Sequence, residues 1–314
     1  QLGTLGPAVT VFLAQENARK ALETGVTSVR DLGSSDNMDL AMRALINRGA
    51  MHGPRMFVAG NGLHISSSPY KVGAVPDPGQ CDGVAEVQRV ARQQLADVTG
   101  FQTFGYEEMK AAADVAHHAG KRIAIHSYGP DGARDAVRAG TNTVEHAIDL
   151  DDATLAAMAK QGTIYVPTVE HNRYYVAHRA EYGYDSTVVA GLNQYVDRNF
   201  ATLKRAVKAN VKVAMGSDAV FTGFGENTRE LSWFVKAGMS PAQALRTATA
   251  TGAEMLGMEK SLGALAPGYY ADIVAVEGDP LKDINVVIEH VKWVMKAGQV
   301  EVNRIGPAAP APRR

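Results

Sequence analysis

Short β-branched runs alternate with alanine-rich stretches of helical period along most of this chain. Val26–Asp31 (VTSVRD) reads as a strand after a helix from about Val9 to Thr24, and Arg55–Ala59 reads as a second strand. Ile123–His126 follows a helix over Tyr106–Ala119, and Thr143–His146 follows one over Gly132–Ala139. Ile164–Val169 follows Asp152–Lys160, and Val213–Asp218 follows a long helix around Gly191–Ala209. The helices stop beside a glycine or an asparagine, residues that tolerate a left-handed C-cap. The strands are short and mostly apolar, as parallel strands buried on both faces are. This alternation predicts a parallel α/β sheet or a (β/α)8 barrel of TIM type.

The pattern changes near the C-terminus. Leu262–Tyr270 carries turn chemistry, Ala271–Glu277 and Val291–Ala297 read as strands, and Gly298 turns the chain into Val300–Val302. We therefore expect a barrel over residues 1–258, a small β-sandwich module over 259–303 and a Pro/Ala-rich disordered tail over 304–314.

Composition narrows the possibilities. At 46% hydrophobic over 314 residues, the chain can bury a large core. Its 32 basic and 33 acidic residues leave a formal net charge of -1, which argues against nucleic acid or an anionic membrane surface as partner. Apolar runs are too short to span a bilayer as a helix. Cys81 is the lone cysteine, so neither an internal disulfide nor a cysteine-rich metal site is available. No compartment is legible.

Candidate chemistry sits where the strands stop. IAIH ends in His126, TVEH ends in His146 and VAMGSD ends in Asp218. In a barrel of this kind the active site lies at the C-terminal ends of the strands, so these side chains should meet at one mouth. Two imidazoles and a carboxylate suit a divalent ion such as zinc, which lowers the pKa of bound water to about 7. Asp218 could serve as ligand and proton shuttle together. A lone strand-end histidine is more often a hydrogen-bonded structural residue; three strand ends in register are harder to assign that way.

The segments GVTSVRDLG (Gly25–Gly33), HSYG (His126–Gly129), TVEHA (Thr143–Ala147) and GSDA (Gly216–Ala219) resemble the amidohydrolase superfamily. So, most specifically, do Ala244–Leu256 and Leu262–Val276. The branch they resemble holds imidazolonepropionase-like enzymes, prolidase-like dipeptidases and carboxypeptidases, and ochratoxin-hydrolysing amidohydrolases. The resemblance implies two Zn2+ per subunit, His126 and His146 on the second metal, and Asp218 on the first as metal ligand and catalytic base. It also implies a homo-oligomer, with an octamer as one form. Two departures stand out. The family's His-x-His pair on strand one lies upstream of GVTSVRDLG, and its strand-four lysine, carboxylated to bridge the metals, should follow the helix Gly83–Ala96. That helix runs directly into Asp97–Phe104. Strands one and four of the barrel are thus missing from the pattern. Deleting them would expose unpaired strand edges, so we expect segments to be missing from the sequence as given; the alternative is a true truncation, metal-poor and inactive. An intact mass well above 33.4 kDa would establish the missing segments.

Other residues are candidates for substrate contact. His64 lies on the loop Gly60–Pro69 beyond a strand, where a surface histidine is the competing reading. Tyr128 can donate to a carbonyl or oxyanion, against a packing role at the rim. His171 and Arg173, in HNRYY after the seventh-strand run, suit a substrate carboxylate, against an ion-paired surface loop. Glu145 should point away from His146, toward a helix. His117 and His118 read as partners of a helix C-terminus. The expected substrate is a small molecule with an amide bond and a free carboxylate, a dipeptide or N-acyl amino acid; a cyclic amide is the alternative within the same chemistry. Outside it stand a non-catalytic barrel, which metal analysis would separate, and a phosphate-binding barrel, for which the loop Gly223/Gly225 is a weak match.

Overall fold

The computed structural model describes residues 7–63, 83–86, 102 and 104–305. Parallel strands form two arcs. In the first, β1 (Ser28–Asp31) pairs with β2 (Arg55–Val58). In the second, β3 (Ala124–Ser127), β4 (Thr143–His146) and β5 (Ile164–Val166) pair in sequence order. Val213 extends the second arc through a bridge to Tyr165. The expected strand Val213–Asp218 pairs at that one residue; two residues on, the Met215 amide donates to the Thr247 carbonyl instead. Gly216 is required there, since a Cβ would overlap Val166 Cγ1.

Strands β3 and β4 are each followed directly by a helix, Pro130–Ala139 and Asp152–Gln161. These end at Gly140 (φ 90°) and Gly162 (φ 78°), the left-handed caps that the sequence implies. Between these helices and the long helix Ser186–Lys208 lies the main core, which includes Ala136, Leu155, Met158, Tyr165, Leu203 and Phe234. Across the interior, Arg30 of β1 donates to Thr143 Oγ1 at 3.1 Å and to Glu145 Oε1 at 2.8 Å on β4, joining the two arcs. Glu145 therefore faces the interior and pairs with Arg30, not the helix we expected. Strand alternation fails at its neighbour because His146 has a φ of 66°.

The last three strands, β6 (Ile273–Val276), β7 (Val291–Lys296) and β8 (Gln299–Asn303), form a separate antiparallel sheet. Its core takes Leu22 from the first helix, Pro7–Glu23, against Val291, Val294 and Val302. Arg55 ties β2 to this module through a 2.5 Å ion pair with Asp272. Among the described residues no helix is long and apolar enough to cross a membrane.

Candidate active site

Four aromatic or imidazole rings and a carboxylate meet at the C-terminal ends of the second arc. His126 lies in β3 and His146 closes β4, with ring centroids 4.1 Å apart and nearly perpendicular. Tyr128 stacks on His146 at 4.6 Å. On the far side, His171 sits 6.3 Å from the His146 ring, and its Nδ1 approaches the Asp218 backbone carbonyl at 2.7 Å and the Asp218 carboxylate at 3.2 Å. The sequence-predicted His126, His146, Tyr128, His171 and Asp218 are thus one continuous cluster.

Left-handed backbone builds it. His146 (φ 66°), Thr168 (φ 49°) and Asp218 (φ 43°) each follow a strand or the Val213 bridge, and none is glycine. Such a conformation costs a non-glycine residue about 1–2 kcal/mol, and it persists only where neighbours over-determine it. Here they do. The buried Tyr165 hydroxyl lies 2.8 Å from the Ala147 carbonyl and 3.0 Å from that of His146. Asn199 donates to the Pro167 carbonyl at 2.8 Å, and Asn227 donates to Ser217 Oγ at 3.0 Å beside Asp218. Thr168 Oγ1 stands 2.6 Å from His146 Nδ1, which leaves Nε2 as the ring's other nitrogen.

Burial favours the neutral form of His126 and His146. Burial, with a smaller contribution from His171, pushes His126 down to about 3. Burial also lowers His146, followed by His126, while Asp218 opposes the shift. A neutral imidazole offers a lone pair, the form in which histidine binds metal. His126 Nε2 is enclosed and has no hydrogen-bond partner among protein atoms. An orphaned buried nitrogen is costly unless something meets it. These features fit a metal on the imidazole side. The fit is partial: among the described residues no group of three or more His, Cys, Asp or Glu side chains is gathered closely enough to hold an ion. Asp218 turns toward His171 instead.

Other expectations meet the structure differently. His64, and the helix Gly83–Ala96 beyond its first residues, lie outside the described residues. His171 and Arg173 belong to a helix, Val169–Ala177, and not to a loop; the strand before it stops at Val166. Arg173 is exposed, two residues from His171 and so on another face of that helix, away from the cluster. His118 Nδ1 meets the Asp114 carbonyl at 2.7 Å, as a helix C-terminus invites. Sequence reasoning missed Asp31. It is the last residue of β1, its carboxyl accepts from the Gly33 amide at 3.0 Å, and burial raises it to about 6, with Asp39 and Asp218 adding to the rise. A polar residue closing VTSVRD was the available signal, the same one that singled out Asp218.

A parallel α/β frame with imidazoles and carboxylates at its strand tips is a TIM-type barrel built for chemistry at its mouth. The chain belongs to the amidohydrolase family, whose pattern matches residues 7–300. It is 28% identical to the ochratoxinase of Aspergillus niger over 90% of this chain and 66% of that protein, so it spans just under two thirds of that relative's length. A solved Xaa-Pro dipeptidase with bound methionine superposes with a TM-score of 0.85 at 29% identity, over 95% of this chain and 80% of that one. The solved A. niger ochratoxinase gives 0.82 at 26% identity, over 96% and 78%.

Proposed function

We propose that the chain hydrolyses the amide bond of a dipeptide or an N-acyl amino acid carrying a free carboxylate, with zinc as cofactor. The observation that carries this reading is the enclosed, unpartnered His126 Nε2 beside a neutral His146 at the strand tips. His126 and His146 would hold the ion with Asp218, and when bound it supplies Lewis-acid polarisation and a water acidic enough to attack near neutral pH. Asp218, with 43% of its side chain exposed, takes the proton of the attacking water and returns it to the leaving nitrogen. His171 fixes the Asp218 backbone, and Thr168 orients His146. Tyr128, stacked on His146, is the donor we assign to the scissile carbonyl. The family membership and the likeness to a dipeptidase and an ochratoxinase support the substrate class. A homo-oligomer belongs to the same reading, and sedimentation measures it.

The test is a screen of Xaa-amino-acid dipeptides and N-acyl amino acids with added zinc, run beside elemental analysis. We expect retained zinc and turnover of at least one member, both diminished in His126→Ala. A chain that retains no metal after growth in zinc and cleaves nothing in the panel would overturn the proposal.

A further inference from the structure

The Glu230 carboxyl group has no solvent exposure, 0% by area, at the start of the helix Glu230–Lys236. One of its oxygens accepts the Val169 amide at 2.9 Å and the other accepts the Glu170 amide at 2.9 Å. Those are the first two amides of the helix Val169–Ala177. One turn along from Glu230, Trp233 donates its indole N–H to the Glu170 carboxylate at 2.6 Å. The helix Glu230–Lys236 thus grips a single turn of its neighbour twice.

The usual capping residue makes no such bond. Thr168 precedes the helix in a left-handed conformation and forms no side-chain cap. Its hydroxyl is engaged with His146 Nδ1 instead. A threonine at this position normally accepts one amide of the first turn, that of the second or third helical residue. Because Glu230 does that work from 60 residues downstream, Thr168 is released to the imidazole. The residue after Glu170 is His171, whose Nδ1 meets Asp218.

We propose that Glu230 is a positioning residue: its buried carboxyl group fixes the first turn of the helix Val169–Ala177 and thereby sets both His171 against Asp218 and Thr168 against His146. A carboxyl group keeps acceptor capacity on both oxygens for the two amides whether or not it carries its proton, whereas glutamine has one acceptor oxygen and turns an N–H toward the other amide.

The activity arm of the test rests on the hydrolytic reading above; the spectroscopic arm does not. In the full chain labelled with 15N-histidine, the ring signals of His171 and His146 are assigned with His171→Gln and His146→Gln. Glu230→Gln should shift both, leave those of His52 and His290 in place, and preserve a cooperative unfolding transition. Glu230→Asp, which keeps two acceptor oxygens, should return both signals part of the way. Should Glu230→Gln lower thermal stability while both ring signals stay put, Glu230 is merely structural and the proposal is wrong; if the glutamine variant does not fold, the same criterion is applied to Glu230→Asp against wild type. On any amide that wild type cleaves, Glu230→Gln should lower kcat at least tenfold with KM within about twofold, and this loss should shrink in a His171→Gln background. Additive losses would also overturn the proposal. If no amide is cleaved, the proposed function fails, and the nitrogen signals still decide the role of Glu230.

Discussion

The arc β3–β4–β5 and the sheet β6–β7–β8 are both three-stranded, yet they use their strands in opposite ways. Every residue of β4 and β5 is buried, with helices on one side and the barrel interior on the other. Polar chemistry that must reach a ligand is left to the strand tips, and there the backbone turns left-handed at His146, Thr168 and Asp218. In the antiparallel sheet, β6 is half-covered along its whole length and β8 is largely exposed, so polar residues such as Lys292 and Glu301 sit within the strands. Burial on both faces concentrates function at an edge; burial on one face spreads polarity where it serves solubility and packing.

If this division holds, variants in the two regions should separate activity from stability. Asp218→Asn should have the largest effect, lowering turnover by at least about 100-fold with an unchanged unfolding transition; more than a few percent residual activity would deny Asp218 its dual role. Gly216→Ala comes next, because its new methyl overlaps Val166 beside the site. We expect a loss of about 1–3 kcal/mol in denaturant titrations accompanied by a fall in kcat, and a stability loss without a kinetic effect would separate the tip from the strand that carries it. Val294→Ala, in the wholly buried centre of the antiparallel sheet, should cost roughly 1–3 kcal/mol and leave kcat as it was. A matching drop in kcat would show that the module is not energetically separate from the site.

The smallest effect, taken per pH unit, concerns titration. Burial, opposed by its two amide hydrogen bonds and reinforced by the Glu170 charge, raises Glu230 to about 8. The folded chain then keeps this proton across a window in which the unfolded chain, with a carboxyl near the ordinary 4.5, has lost it. Stability from this group is therefore full below pH 4.5 and declines as pH rises toward 8. Glu170 and Tyr165 also face the carboxylate, and burial holds the Tyr165 phenol well above its usual range, so it stays neutral throughout. The slope should be at most about 1.4 kcal/mol per pH unit. Comparing Glu230→Gln with wild type across pH 5–8 isolates it, and parallel stability curves would remove the titration from Glu230.

Much of this was readable locally. Thr143–His146 is the strand that its apolar run predicted, and Gly140 and Gly162 end their helices as left-handed caps. His126, His146 and Asp218 were visible because a polar residue closing an apolar run breaks the pattern. What escaped depends on partners distant in sequence. HNRYY is helical because Glu230, 61 residues beyond Val169, caps that helix, and nothing within HNRYY announces it. Glu145 turns inward because Arg30, 115 residues away, waits for it and because His146 leaves the strand geometry. Asp31 carried the right local signal at the tip of a strand whose burial is only partial.

The left-handed tips have a further consequence for how such a chain responds to selection. At positions 146, 168 and 218 glycine would relieve backbone strain of about 1–2 kcal/mol each, while removing the imidazole, hydroxyl or carboxylate. Evolved in the laboratory for heat tolerance alone, the chain should accumulate glycine or asparagine at these three positions and trade its chemistry for ease of folding. The frequency of those exchanges in a randomised pool would report, residue by residue, how much stability the barrel forgoes to keep a working mouth.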